Sequence, residues 1–247
     1  MIAAVFNTLL YEPFYNTLIF LISIIPGGDV GVAVILLTIL VKLALFSLSY
    51  RSVVAMVKQR SLEPEVRALK EKHKDAPQEQ AVAVMAFYKE HGINPFAGIV
   101  VVLIQIPVIL ALYFVFLRGG LPDIHFNLLY PFVSAPEMIN MIFLGVLDLG
   151  SKSILTALLA AASQFIQALL LSPPAPEGPK DGEKPSFKHD LAKSMHLQMK
   201  FVLPVIIGVF AYSLPAAIGL YWTTSNLFTI GQELFVRKRL QNKHLSM

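Results

Sequence analysis

Residues 30–50, VGVAVILLTILVKLALFSLSY, form an apolar run long enough to cross a bilayer, and their one charge, Lys42, lies near the middle. A hydrocarbon core of ~30 Å requires about 20 such residues as a helix, because only a helix or a closed barrel pairs its backbone groups where no water reaches. A charge at that depth costs on the order of 2.5–3.5 kcal/mol and is seldom found without a wet cavity, a partner or a task. Lys42 is therefore the first candidate functional residue. The whole chain agrees with a lipid solvent: 55% of its 247 residues are hydrophobic, 15% are charged, and the mean hydropathy is +0.65, far from a soluble average. It contains no cysteine, which excludes disulfides, thiol nucleophiles and cysteine metal sites. No basic residue precedes Lys42, so the N-terminus lacks the positive flank of a signal peptide and is expected to stay uncleaved.

Three spans are clear, at 30–50, 96–117 and 153–171. Residues 201–232 carry no charge, which is long for one crossing and tight for two. Lys200 precedes them and Arg237, Lys238 and Arg239 follow, so if basic flanks stay cytoplasmic the segment crosses and returns. Pro215 is the natural turn, giving spans at 201–213 and 216–232 and five crossings in all. The basic residues test this topology. Loop 51–93 holds eight Lys or Arg, loop 172–200 five and the tail four, against Arg118 and Lys152 on the other side. Seventeen against two predicts an outer N-terminus and a cytoplasmic C-terminus. Six crossings, with the N-terminus inside, is the rival topology. The basic loops are interleaved with acids, so a DNA-binding patch is disfavoured.

The predicted class is an all-α membrane protein, organised as an external segment 1–29, a core 30–239 and a tail 240–247. Before the first span, Phe14, Leu18, Leu21, Ile22 and Ile25 mark the apolar face of an interfacial helix, with Glu12, Asn16 and Ser23 opposite. Pro26, Gly27, Gly28 and Asp29 then turn the chain. In loop 51–93, Leu62, Val66 and Leu69 form one apolar stripe and Val84, Phe87, Tyr88 and His91 another. Two short helices folded back on each other follow from these stripes. The hairpin surface is rich in charge, Lys70 and Lys72 among it, and suits either solvent beside anionic lipid or a docking partner. The second cytoplasmic loop opens with SPPAPEGPKDGEKPS, a composition without a core, so 173–185 is read as a linker. His189 and His196 lack companions at ligand spacing, and no metal or other cofactor is expected.

Four segments carry a resemblance: LEPEVRALKEKH at 62–73, MAFYKEHGINPFAG at 85–98, LIQIPVILALYFVF at 103–116, and 201–232. In this order and spacing the chain resembles the YidC family of membrane protein insertases, in its bacterial short form without a large periplasmic domain. The resemblance implies a five-helix core and a cytoplasmic helical hairpin. It also implies a hydrophilic groove, open to cytoplasm and lipid but closed outside, with one positive charge on the first span. That position falls on Lys42, where bacterial members usually have arginine. The family's groove glutamine falls on Gln167, with Gln164 one turn away, and its groove tryptophan on Trp222. Ile99 and Val101 depart from a Cys and Pro frequent in the family, whereas Gln105 and Pro107 are kept. Gln164 and Gln167 are equally suited to bonding neighbouring helices, and Trp222 to an interfacial belt.

Residue chemistry and resemblance lead to one expected mechanism. Lys42 attracts the polar outer tail of a client, Gln164, Gln167, Ser47, Ser49 and Thr224 offer hydrogen bonds, and burial of the client's apolar span drives the tail across without nucleotide hydrolysis. The expected partners are nascent membrane proteins, the bilayer of the bacterial inner membrane, the ribosome and the Sec translocon. Arg237, Lys238, Arg239, Lys243, Lys70 and Lys72 are the residues expected to meet the ribosome, with His244 beside them. The phosphate loop GxxxxGK[ST] and the motifs HExxH and GxSxG do not occur, so an enzyme is not expected. A solute transporter or channel is the alternative that an intramembrane lysine admits.

Overall fold

The computed structural model describes residues 2–74, 76–94, 96–118, 121–171, 194 and 197–245. The expected linker at 173–185, His189, His196 and Asp75 lie outside them. The described chain is mostly helical.

The N-terminal segment runs through α1 (Ile2–Phe6), a π-helical turn (Asn7–Tyr11) and α2 (Glu12–Ile24). Tyr15, Leu18, Ile19 and Ile22 of α2 are fully buried in the central core. Asn16, expected on the polar outer stripe, is buried as well. Its side-chain amide donates to Glu12 O (2.9 Å) and Leu128 O (2.8 Å) and accepts from Tyr130 N (2.6 Å), which is the condition for an amide to sit in a core. His125 N donates to Tyr15 Oη at 2.9 Å. These bonds lash the long loop after α7 onto α2.

Gly27 and Gly28 turn the chain with φ of 75° and 60°, a region that glycine enters at least cost. Asp29 Oδ1 then caps α3 (Val30–Ala44) by accepting from Gly31 N (2.8 Å) and Val32 N (3.1 Å). The expected straight span is bent: α3 stops at Leu45 and α4 (Phe46–Ser61) leaves at 71°. Neither proline nor glycine stands at the break. Just past the break, Ser49 and Ser52 donate back to Phe46 O (3.1 Å) and Leu48 O (3.4 Å) within the first turns of α4. The hairpin of α5 (Glu63–Lys72) and α6 (Pro77–Glu90) closes on Val66, Tyr88 and Ile93.

After α7 (Ala97–Arg118), loop 121–153 contains an antiparallel pair, β1 (Ile142–Phe143) and β2 (Leu147–Asp148). α8 (Ile154–Leu171) follows, then α9 (Leu203–Ser213), a break at Leu214 and Pro215, and α10 (Ala216–Leu245). Gly219 lets α10 approach α8, since a Cβ there would stand 2.8 Å from Thr156 Cβ. Ser151 O and Leu149 O accept from Ala216 N (2.8 Å) and Ala217 N (3.2 Å), holding the start of α10.

Among the described residues no single helix is both long and apolar enough to cross a membrane, but α3 and α4 taken together are; Gln105–Leu117, Ile154–Leu170 and Lys200–Ser213 are shorter apolar helices. The outer surface is apolar all the same. Leu36, Leu40, Leu110, Leu158, Val205, Val209 and Leu227 are exposed, a distribution expected where the solvent is lipid.

Candidate functional site

The break after Ala44 sets a polar recess between α3, α4, α7 and α10. Its free volume is about 30 Å³, and it is lined by Thr38, Val41, Lys42, Leu45, Ser49, Val53, Gln105, Val108, Tyr221, Thr229 and Gln232. α3 delivers Lys42 one turn before the bend, and α4 delivers Ser49 one turn after it. The opposite wall follows helical spacing along α10, where Tyr221, Ser225 and Thr229 are four residues apart and Gln232 continues the face.

Lys42 Nζ donates to Thr229 Oγ1 at 3.2 Å and to Gln105 Oε1 at 3.4 Å. Gln105 Nε2 in turn donates to Tyr221 Oη and to Ser225 Oγ (3.3 Å). Below the bend, Ser49 Oγ and Gln232 are paired, with Oγ to Oε1 at 3.2 Å and Nε2 to Oγ at 3.0 Å. Every partner of the half-buried ammonium among the described residues is neutral. An ammonium has three donors and no acceptor, so two long bonds to neutral oxygens leave capacity for an anion, whose charge-assisted bonds are shorter and stronger.

Of the residues the sequence singled out, Lys42 and Ser49 line this recess. Ser47 is exposed in the first turn of α4 and does not. Thr224 donates to Leu220 O (2.9 Å) within its own helix. Trp222 stands edge-on to Phe210 (6.2 Å, 85°) and packs on the cluster Ala157, Ala160, Ile207 and Ala211, where α8 meets α9. Gln164 and Gln167 are half-buried on α8, and Gln167 Oε1 is buried without a hydrogen-bond partner among the described residues. These four therefore lie apart from the Lys42 recess. Gln105, Tyr221, Ser225, Thr229 and Gln232 were not singled out as site residues. The i, i+4, i+8 placement of hydroxyl groups at 221, 225 and 229 was the available signal.

The basic residues expected to face a partner divide similarly. Lys70, Lys72 and Lys238 are exposed, and Arg239 donates to Tyr50 Oη at 3.2 Å. The side chain of Lys243 lies outside the described residues, as does that of His244. Arg237 turns inward: it pairs with the buried Glu233 and donates to Leu170 O at 2.7 Å, while Arg60 donates to the same carbonyl. The two arginines thus close the negative end of α8.

A family model described as 60Kd inner membrane protein matches residues 21–243. A Clostridium tetani protein named membrane protein insertase YidC is 32% identical over 240 residues, 96% of each chain. Proteins of the same name from Helicobacter pylori and Ectopseudomonas mendocina are 31% and 30% identical over 87% and 90% of this chain. The chain spans nearly all of the first relative, but only 34% and 33% of the other two.

Proposed function

The chain belongs to the 60Kd inner membrane protein family, and from that premise we propose that it is a membrane protein insertase of the bacterial inner membrane, whose recess around Lys42 receives the polar segment of a client. The observation that carries this reading is a cation beneath an apolar surface whose hydrogen-bond partners are neutral and exchangeable.

A client crosses because its apolar span gains more on leaving water than its tail loses in transit. The loss is large in plain hydrocarbon, where each unsatisfied polar group costs several kcal/mol, on the order of 2–7. The recess lowers it by offering donors and acceptors partway across. An acidic tail takes Nζ of Lys42 from Gln105 and Thr229, and those two groups then serve the tail's backbone. Ser49 and Gln232 provide the next polar step below the bend. Burial of the client's span at ~25 cal/mol per Å² supplies the driving force, with no nucleotide consumed.

Five crossings with the N-terminus outside remain the proposed topology, supported by the charge asymmetry. The exposed lysines of the hairpin and tail suit a ribosome docked at the cytoplasmic face, and the Sec translocon is a proposed neighbour. A solute pathway is the weaker reading, because the bent pair α3 and α4 has no matching pair among the described residues.

The test uses liposomes containing the purified protein and a single-span client with an acidic outer tail. Lys42→Ala should lower insertion several-fold while Lys42→Arg retains it, and both should unfold near the wild-type temperature. Wild-type insertion by Lys42→Ala would refute the role of the charge.

A further inference from the structure

The sequence Met138 to Leu147, MINMIFLGVL, contains no charge. Its inward side is accounted for. Ile139, Met141, Phe143 and Leu147 join the central core, and Phe143 lies so close to α3 that a Cβ on Gly31 would be 2.1 Å from the ring. Its outward side is apolar and bare. Leu144 is 69% exposed and Val146 85%, with Met138 and Ile142 beside them, and Phe132 on the same loop is 80% exposed.

The turn makes this choice of residues informative. Leu144 has φ 51° and Gly145 φ 74°, closed by Gly145 N to Ile142 O (3.3 Å) and Val146 N to Phe143 O (3.0 Å). Consecutive positive φ values favour Asn, Asp or Gly, and a leucine there strains its backbone. The tip therefore carries a costly residue whose side chain points away from the protein, and strain kept in this manner marks a place where the side chain is used.

The height of the tip is fixed. Leu144 N donates to Asp29 Oδ2 at 2.9 Å, while the other oxygen of Asp29 caps α3. Val30 N donates to Asn140 O (3.0 Å) and Asn140 N to Gly28 O (2.9 Å). The hairpin is thus locked to the first turn of α3, ahead of Leu36 and Leu40, where the exposed apolar surface of that helix begins. In sequence the apolar stretch is flanked by Glu137 and Asp148 at its two ends, and the one carboxylate that reaches the tip, Asp29, meets its backbone amide on the inward side, so apolar tip and polar base divide as they do in interfacial anchors.

From these observations we propose that Leu144 and Val146, with Ile142 and Phe132, insert into the headgroup and upper acyl region of the leaflet where α3 begins. The hairpin is then a lipid anchor that sets the depth of α3 and, through it, of Lys42. This rests on the reading of α3 as entering the bilayer at Val30.

The chain has no cysteine, so one fluorophore can be placed at will. An environment-sensitive nitrobenzoxadiazole is attached to Val146→Cys, to Glu137→Cys on the exposed part of the same loop, and to Leu40→Cys on the exposed face of α3. Each full-length variant is reconstituted in phosphatidylcholine and phosphatidylglycerol liposomes. The probe at 146 should be quenched several-fold more than that at 137 by lipids carrying a nitroxide high on the acyl chain, and several-fold less by iodide. Equal iodide quenching at 146 and 137 without lipid quenching would overturn the anchor. Shielding at 146 from both quenchers would also overturn it, because a second copy of the chain would then cover the tip. Failure of the span reading is separately visible, since the probe at Leu40 would then escape nitroxides placed deep in the acyl chain.

Discussion

Arg237→Leu separates two roles for the basic residues that follow the last apolar run. The Arg237 guanidinium meets Glu233, whose residue exposure is 0%, and also reaches Leu170 O at 2.7 Å. Breaking a buried ion pair by removing one partner costs about 3–5 kcal/mol, because the other charge stays buried. Two features place this site at the low end of that range. The arginine side chain keeps 29% exposure, and Arg60 remains beside the same carbonyl. A loss of about 3 kcal/mol is expected, some two orders of magnitude in the unfolding equilibrium. Replacing both partners in the double variant Glu233→Leu, Arg237→Leu removes charge and desolvation together, and the cost should fall to about 0–1 kcal/mol.

Unfolding in mixed micelles, followed through the fluorescence of Trp222, measures both variants, since that ring packs where α8 meets α9. The reasoning is refuted if the double variant is as unstable as the single one, or if the single variant loses less than about 0.5 kcal/mol, the range of an ordinary surface change. The same geometry bears on ribosome contact. A tail variant intended to weaken docking should neutralise Lys238, Arg239 and Lys243 and leave Arg237 in place.

Two further outcomes are expected. Cysteines at Glu137 and Lys72 should react with an impermeant maleimide from opposite sides of the membrane; reaction from one side would overturn the topology. Gly219→Ala should lower stability by about 1–3 kcal/mol through overpacking on Thr156, whose Cβ would be 2.8 Å away. Gly231→Ala, with nothing within 4 Å, should leave stability unchanged or raise it by up to about 1 kcal/mol, and thermal unfolding of the pair checks the contrast.

The helical class was legible because apolar residues recur at helical spacing over long uncharged stretches, and the chain offers little competing pattern. Lys42 stood out for the same reason, as the one charge in residues 30–50. Its surroundings were not legible. Gln105 and Thr229 lie 63 and 187 positions away, and only the bend at Leu45 and the rotation of α10 bring them together. The bend itself was hidden because neither proline nor glycine stands at Leu45 to mark it. Asn16 is the opposite case: its polarity points to exposure, but Leu128 and Tyr130 of the long loop, with Glu12 O of its own helix, supply its amide with partners in the core. The inward turn of Arg237 could have been suspected from Glu233 four residues before it, since opposite charges at that spacing share a helix face.

Lysine and arginine at position 42 would tie the recess differently. Two polar cross-links join α3 and α4 directly to α10, Lys42 to Thr229 above the bend and Ser49 to Gln232 below it, at 3.2 Å and 3.0 Å. A lysine ammonium is a compact charge on a flexible stem and can leave one neutral oxygen for an incoming carboxylate without rearranging a planar fork. An arginine would hold Gln105 and Thr229 through separate N–H groups and could keep a wall contact while meeting the client. Both side chains therefore satisfy the electrostatic requirement, and they differ in how firmly α3 stays fastened to α10 when the recess is empty. The Lys42→Arg variant should accordingly retain insertion and unfold at an equal or higher temperature. Loss of insertion in a stably folded Lys42→Arg protein would mean that release of the α10 wall, rather than charge alone, is what the lysine contributes.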